Sequence, residues 1–186
     1  MTIIGITGSI ASGKSTVAKL IVKKKYPFFS ADKEVLNLYK NKKFIKLLTR
    51  KFNLSREKEI KIQIKLIINK NKNELKTLES IIHPLVRKKM INFLKNKKKL
   101  VILEIPLLIE NKLNKYFDKI IFIDAKKKIR LERYLKRNSN KKMFEVLNKR
   151  QLQPAIKKKR CDFIINNNYS LAILRKNVKK IIKNYE

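Results

Sequence analysis

Cysteine, glycine and proline are scarce in this sequence of 186 residues, which contains one, three and four of them, and tryptophan is absent. The single cysteine, Cys161, excludes an internal disulfide and leaves no set of thiolates for a sulfur-based metal site, which favours a reducing compartment. No proline- or glycine-rich linker and no internal repeat divides the chain. Its length and its apolar fraction of 44% therefore predict one compact domain over residues 1–186.

Long hydrophobic runs are also missing. No apolar run approaches the roughly 20 residues that a membrane-spanning helix needs. Residues 1–7 lead into an apolar stretch without a basic leader. We therefore expect a soluble, unprocessed, cytoplasmic protein with no membrane partner, either a monomer or a weak homo-oligomer.

Acidic residues are few, because 14 Asp and Glu stand against 49 Lys and Arg, which gives a formal net charge of +35. Such a charge is typical of proteins that bind nucleic acid or other anions. The lysines are spread from Lys19 to Lys183 among many Asn and Ile residues. This distribution favours a coding bias on solvated helix faces over a selected anion-binding surface. No aromatic residues are interleaved on a basic face, which argues against nucleic acid as a partner.

All three glycines lie within the first thirteen residues. Gly8–Ser15 reads G-S-I-A-S-G-K-S and matches the P-loop pattern G-x-x-x-x-G-K-[ST], between an apolar segment and an amphipathic one. Glycine permits a tight turn whose backbone N–H groups face a phosphate chain, and the N-terminus of the following helix faces the same anion. The sequence therefore predicts a nucleotide-phosphate site.

The residues of this loop have expected roles. Lys14 supplies a positive charge to the β and γ phosphates of ATP and is a candidate catalytic residue, and Ser15 supplies a hydroxyl ligand to Mg²⁺. Thr16 is a candidate for a further phosphate contact. The remaining candidates for binding ATP are Gly8, Ser9, Ile10, Ala11, Ser12 and Gly13.

A GTPase would also carry this loop. It would need a D-x-x-G segment after its second or third strand, and no glycine follows Gly13. The segment N-K-N-E at Asn71–Glu74 imitates the guanine-reading motif N-K-x-D but lacks its aspartate. These absences exclude a GTPase and leave ATPases and small-molecule kinases open.

Five short apolar runs have the composition of buried parallel strands, and each is followed by a segment with helical spacing. This alternation predicts an α/β fold with helices on both faces of a parallel sheet. The runs are Ile3–Thr7, Phe28–Ala31, Leu100–Ile105, Lys119–Asp124 and Phe163–Asn166.

The helical segments differ in length and position. The first helix is expected at Gly13–Lys24 and the last at about Leu171–Lys183. Residues 33–99 show helical periodicity and no strand signal, and this span is too long for a simple crossover. Pro84 suits the first turn of a helix within it. We therefore predict a helical insertion there, and an exposed loop at residues 138–142.

Two carboxylates follow predicted strands. Asp32 would lie at the carboxyl edge of the sheet, where it can accept the proton of an acceptor hydroxyl or orient that hydroxyl toward the γ-phosphate, so it is the candidate catalytic base. The alternative is that Asp32 caps a helix beginning at Lys33. Glu104 is the candidate metal residue and would contact Mg²⁺ through water; the alternative is a structural pairing with a basic neighbour.

Five short motifs follow one another along the chain: Gly8–Ser15, Ala31-Asp32, His83-Pro84-Leu85, Glu104–Glu110 and Asp162–Asn167. With this order and spacing the chain resembles the dephospho-CoA kinases over nearly its whole length. The resemblance implies a P-loop nucleotide-kinase fold with a five-stranded parallel sheet in the order 2-3-1-4-5, a helical substrate insertion and a short lid.

The resemblance also implies a reaction. ATP and Mg²⁺ would be required, and the γ-phosphoryl group of ATP would pass to the 3′-hydroxyl of the ribose of dephospho-CoA, which is the last step in making coenzyme A. The alternative is another nucleoside or nucleotide kinase of the same fold. The implied division of the chain is a core at about residues 1–32, 100–132 and 152–186, an insertion at 33–99 and a lid at 133–151.

Further site residues follow from the resemblance. His83 and Arg87 in the insertion are implied to bind the CoA side, although the alternative for His83 is a ring hydrogen bond that anchors the insertion. Asn166 and Asn167, after the last strand, resemble the residues that flank the adenine of ATP.

Arg133 and Arg137 lie four residues apart on the helix expected after the fourth strand, so they share a face. In small-molecule kinases such arginines neutralise charge on the transferring phosphoryl group when the lid closes. We assign both to ATP binding and Arg137 to catalysis. The alternative is a pair of solvated arginines in a chain rich in cations.

The sequence departs from the family pattern at several positions. Ser30 and Leu36 replace the usual aspartate and arginine around the second strand, and Leu147 replaces a lid arginine. Gln151 aligns with the usual glutamine. Arg150 is a candidate to substitute for the lost lid arginine.

Overall fold

The chain forms two compact units in the computed structural model, which describes residues 1–23, 25–55, 57–71, 73–95, 100–138 and 140–185. The first unit comprises Met1–Ser30 and Lys97–Glu186, and the second comprises Ala31–Asn96. Strands and helices alternate along the first unit, whereas the described part of the second is helical. The expected α/β class is confirmed.

A five-stranded sheet forms the centre of the first unit. Every neighbouring pair of strands is parallel, and the order β2-β3-β1-β4-β5 confirms the order implied by the resemblance. The strands lie within one residue of their predicted bounds because each is a short, nearly continuous apolar run. They are β1 (Thr2–Gly8), β2 (Phe28–Ser30), β3 (Leu100–Glu104), β4 (Lys119–Asp124) and β5 (Phe163–Asn166).

Five α-helices lie in the described part of this unit: α1 (Lys14–Val22), α6 (Lys127–Asn138), α7 (Lys141–Lys149), α8 (Pro154–Lys158) and α9 (Leu171–Ile182). The apolar faces of α1 and α9 pack with β1 in one core, which includes Ile4, Val17 and Leu174. The predicted end of the first helix, Lys24, lies outside the described residues. Within the described ranges, no helix combines the length and the apolar character needed to cross a bilayer.

Among its described residues, the second unit has four helices: α2 (Ala31–Leu38), α3 (Lys42–Phe52), α4 (Ile60–Lys70) and α5 (Asn73–Lys95). It therefore has the helical character that the periodicity predicts. Its own core forms where apolar residues from α3, α4 and α5 meet, and Phe44, Leu48, Ile64, Leu78 and Ile82 are buried there.

The prediction that Pro84 lies in the first turn of a helix is wrong. Pro84 lies inside α5, which runs without a break over 23 residues. Its ring cannot donate a hydrogen bond to the carbonyl of Ser80, four residues earlier. Leu78 and Ile82 before the proline and Met90 after it are all buried. We infer that burial on both sides keeps the helix continuous across the proline.

The connection between α6 and α7 is shorter than the predicted loop at residues 138–142. Helix α6 extends to Asn138, and Asn140 caps α7 because its Oδ1 accepts a hydrogen bond of 2.9 Å from the backbone N–H of Met143. Ser139 lies outside the described residues. Asn140 is therefore the N-cap of α7. The polar composition of residues 138–142 predicted a loop and did not indicate this cap.

The Pro84→Ala variant should raise the free energy of unfolding by about 1–2 kcal/mol. Alanine restores the missing donor inside α5, and this gain exceeds the entropy that alanine adds to the unfolded chain. Urea denaturation followed by circular dichroism would measure the change. A lower midpoint in the variant would show that the proline does not strain the helix.

Candidate active site

The phosphate-binding loop connects the end of β1 to the start of α1, and glycine is required at both of its ends. A Cβ at Gly8 would lie 2.6 Å from the carbonyl oxygen of Ile123 and 2.7 Å from Ser12 Oγ. Gly13 has φ 96°, in the left-handed region, and a Cβ there would collide with the side-chain amide of Asn167. The positions of two of the three glycines are thus explained by this one turn.

Lys14 is buried beneath its own loop. Its Nζ donates hydrogen bonds to the carbonyl oxygens of Gly8, at 3.3 Å, and Ser9, at 3.0 Å. Only 8% of the residue is exposed. The ammonium group therefore lies at the base of the loop, where its charge acts in a poorly hydrated environment and attracts an anion more strongly than it would in water.

Ser15 and Glu104 lie together, as expected for the candidate metal residues. Ser15 Oγ donates a hydrogen bond of 2.6 Å to Glu104 Oε1, and Ser30 Oγ lies 3.4 Å from Glu104 Oε2. Parallel pairing of β1 with β3 positions the carboxylate, because Glu104 ends β3 beside Ile6 of β1. Hydroxyl and carboxylate oxygens are the ligands that Mg²⁺ prefers, so these residues fit that ion.

Arg133 extends from α6 toward the loop. Its Nη2 donates a hydrogen bond of 3.0 Å to the carbonyl of Asn167, and its Nη1 lies beside Gly13. Burial lowers the pKa of the Arg133 guanidinium, and the nearby charge of Arg137 lowers the pKa further. The group keeps its charge, because arginine stays protonated in proteins at neutral pH. Arg137, one turn along, is exposed.

Two buried polar atoms beside the loop have no hydrogen-bond partner among the described residues, Ser12 Oγ and Arg133 Nη1. Buried polar groups are normally paired, and both of these atoms are free to bind a ligand that enters the loop. Phosphate oxygens would accept from both groups. Together with the turn that excludes a Cβ at Gly8 and Gly13, this supports the fit of a nucleotide phosphate chain.

Asn167, directly after β5, holds the loop through a side-chain hydrogen bond. Its Nδ2 donates a hydrogen bond of 2.8 Å to the carbonyl of Ser12, and its backbone N–H donates one of 2.8 Å to the carbonyl of Asp124. Asn166 is exposed, and its Oδ1 accepts from the backbone N–H of Asn168. The two asparagines therefore differ, because Asn167 faces the loop and Asn166 faces solvent.

The proposed residues of the insertion belong to the second unit. Helix α2 begins at Ala31, so Asp32 lies in its first turn, and the alternative that Asp32 caps a helix starting at Lys33 is wrong. Ser30 ends β2 and is followed directly by the first residue of α2. His83 and Arg87 lie one turn apart on α5, where His83 is half-buried and Arg87 is exposed.

Two residues that contact the loop were missed as site candidates. Gln151 Oε1 accepts a hydrogen bond of 2.8 Å from the backbone N–H of Ile10, and Arg130 Nη1 donates one of 3.3 Å to the carbonyl of Ile10. For Gln151, its alignment with a usual glutamine was the available signal. For Arg130, the signal was its position one turn before Arg133 on the same helix.

Comparisons with known proteins agree over nearly the whole chain. A family model described as Dephospho-CoA kinase matches residues 2–172. The dephospho-CoA kinase of Bartonella quintana is 39% identical over 191 residues, which cover 99% of this chain and 98% of that protein. The dephospho-CoA kinase structure from Campylobacter jejuni is 30% identical with a TM-score of 0.65, covering 98% and 96% of the two chains. A crystal structure from Thermus thermophilus reaches a TM-score of 0.81 at 28% identity, covering 100% and 98%.

A parallel sheet of this order, with a phosphate-binding loop after its first strand and arginines facing that loop, defines a P-loop kinase. The family match over residues 2–172 narrows the class. The chain belongs to the dephospho-CoA kinase family.

The Gly13→Ala variant should weaken ADP binding by roughly 10- to 100-fold. The added methyl group would collide with Asn167, and the left-handed backbone would be strained. Isothermal titration with ADP would measure the affinity. Gly5→Ala is the control: its methyl group would contact Leu108 and Phe117 outside the loop, which lowers stability but leaves the affinity of the folded protein unchanged. Equal ADP affinity in Gly13→Ala and wild type would contradict this account of the loop.

Proposed function

We propose that this chain transfers the γ-phosphoryl group of ATP to the 3′-hydroxyl of the ribose of dephospho-CoA and releases CoA and ADP. Dephospho-CoA kinases carry out the last step of coenzyme A synthesis, and membership of that family over residues 2–172 is the observation that carries the proposal. The P-loop supports ATP as the phosphoryl donor. A cytoplasmic location and a monomeric or weakly oligomeric state remain predictions from the sequence.

The donor phosphates are proposed to bind residues 8–16. Lys14 would neutralise the β and γ phosphates, and the unpaired Nη1 of Arg133 is close enough to Gly13 to serve the same phosphate chain. Arg137 would approach the transferring group from the exposed end of α6. Asn166 and Asn167 would flank the adenine, although Asn167 also has the structural contact with Ser12.

Ser15 and Glu104 are proposed to hold Mg²⁺. Ser15 would supply a hydroxyl and Glu104 a carboxylate, the latter through water, and the bound ion would offset negative charge on the phosphates. The hydrogen bond between these residues orients both sets of lone pairs, and Ser30 Oγ lies near the other carboxylate oxygen. The family usually has an aspartate at the position of Ser30. Because serine carries no carboxylate, Glu104 would be the carboxylate at this group of three side chains.

Asp32 is proposed to accept the proton of the acceptor hydroxyl. It follows Ser30 by two residues, so chain connectivity alone keeps its Cα within about 7.6 Å of the Cα at the end of β2. The carboxyl ends of parallel strands are where α/β sheets bind ligands. His83 and Arg87, on one face of α5, are proposed to bind the CoA side of the acceptor.

The acceptor can be tested directly by measuring ATP-dependent ADP release. Dephospho-CoA would be offered beside adenosine, nucleoside monophosphates and pantothenate. We expect dephospho-CoA to give CoA as the phosphorylated product at a rate far above the other compounds. Product from another acceptor with none from dephospho-CoA would instead support a different kinase of the same fold.

The Asp32→Asn variant should lower kcat by about 10² to 10⁴ and leave ADP affinity nearly unchanged, because the amide cannot accept the proton. Steady-state kinetics and ADP titration would measure the two effects. Glu34→Gln is a matched control, since it removes one negative charge from the same first turn of α2. Equal kcat values in the two variants would reduce Asp32 to a helix-terminal charge.

A further inference from the structure

Ile10 is held through both of its backbone polar groups. Its N–H donates to Gln151 Oε1 at 2.8 Å, and its carbonyl accepts from Arg130 Nη1 at 3.3 Å. The partners lie 141 and 120 residues away along the chain. The middle of the phosphate-binding loop is therefore fixed from outside by Arg130, just before the proposed lid, and by Gln151, the last residue of the lid.

The loop needs such support at this point. Ala11, which follows Ile10, has φ 57° in the left-handed region, although it is not a glycine. That conformation costs an L-residue the equivalent of about 5- to 30-fold in population. Hydrogen bonds on the neighbouring peptide groups can offset this cost. Without them, the loop would populate other arrangements in which fewer N–H groups face an anion.

Gln151 is well placed to fix Ile10 because its own backbone is anchored independently of the loop. The next residue, Leu152, donates its N–H to Glu110 Oε1 at 3.1 Å. The same oxygen forms an ion pair of 2.5 Å with Lys157, which is fully buried. The Glu110–Lys157 pair thus holds the segment from which the Gln151 side chain extends.

Arg130 connects the same peptide to α6 and α7, the two helices that contain most of the proposed lid. It belongs to α6, its Nη1 also donates to Asn148 Oδ1 of α7 at 2.8 Å, and its Nε donates to the carbonyl of Ala125 at 3.1 Å. The guanidinium lies over the ring of Phe144, 5.8 Å from its centroid. Only 4% of the residue is exposed, so these contacts are well shielded from water.

We propose that Gln151 is a positioning residue that, together with Arg130, holds the Ile10 peptide groups and keeps the phosphate-binding loop in its anion-binding form. Nucleotide affinity then depends on where α6 and α7 lie, although neither Gln151 nor Arg130 needs to touch the nucleotide. The identity of the bound anion rests on the proposed function. The hydrogen bonds to Ile10 are observed independently of that function.

The Gln151→Leu variant removes the acceptor and shortens the side chain by one atom. Hydrogen exchange of the Ile10 amide, followed by NMR without nucleotide, should become at least about 10-fold faster, while the amides of β1 stay protected. The apparent ADP affinity should fall by about 3- to 10-fold, the factor expected for one lost hydrogen bond, because a smaller fraction of the loop is competent to bind. In the kinase assay KM for ATP should rise by more than kcat falls.

Gln153→Leu is the matched control, since Gln153 is exposed and its side chain forms no cap hydrogen bond. It should leave Ile10 exchange and ADP affinity unchanged. Gln151→Glu keeps an oxygen acceptor and should keep the Ile10 amide protected. Gln151→Asn, shorter by about 1.5 Å, should behave like Gln151→Leu and provides a second test if the leucine variant does not fold.

Slow Ile10 exchange in both Gln151→Leu and Gln151→Asn would overturn the proposal, as would fast exchange with unchanged ADP affinity. Fast exchange in Gln151→Glu would also contradict it, because an acceptor would then not suffice. A wild-type protein that binds no ADP would defeat the proposed function instead. In that case the exchange data alone would still report whether Gln151 holds the loop.

Discussion

A loop of peptide groups can attract an anion only if its carbonyl oxygens are turned away and held, because their partial charges would otherwise repel the ligand. This requirement underlies the site. The carbonyls of Gly8 and Ser9 accept hydrogen bonds from Lys14, that of Ile10 from Arg130, and that of Ser12 from Asn167. The sheet order brings β4 beside β1, and thereby gives the residues after β4 and β5 access to these oxygens.

The same requirement explains where positive charge enters the interior. Lys14, Arg130 and Lys157 are the basic residues that are buried in the described part of the chain. The first two bind carbonyls of the loop. Lys157 pairs with Glu110, the residue that accepts a hydrogen bond from the backbone next to Gln151. Burying a cation is costly unless oxygen atoms surround it. In a chain with so many lysines, burial therefore distinguishes the few basic side chains that support the site from the many that lie at the surface.

Features that depend on neighbouring residues could be predicted from the sequence, whereas contacts between distant segments could not. The strands and the Gly8–Ser15 loop were found because apolar runs and glycine spacing are local patterns. The strand order came from the family resemblance. Pro84 was misplaced because the buried residues on both sides of it outweigh its local preference. Arg130 was missed because its contact with Ile10 spans 120 positions, which no local spacing records.

The contacts that hold the loop also have a consequence for sequence divergence. At Ile10 and Ser12 the holding groups are backbone atoms, which every residue except proline supplies in full. The side chain at position 10 is therefore free to change as long as the backbone path is kept, whereas the left-handed φ of 57° restricts position 11. The partners are the constrained residues, because Gln151, Arg130 and Asn167 each act through a specific side-chain atom. Substitutions at these three distant residues should thus be tolerated less well than substitutions at position 10 inside the loop.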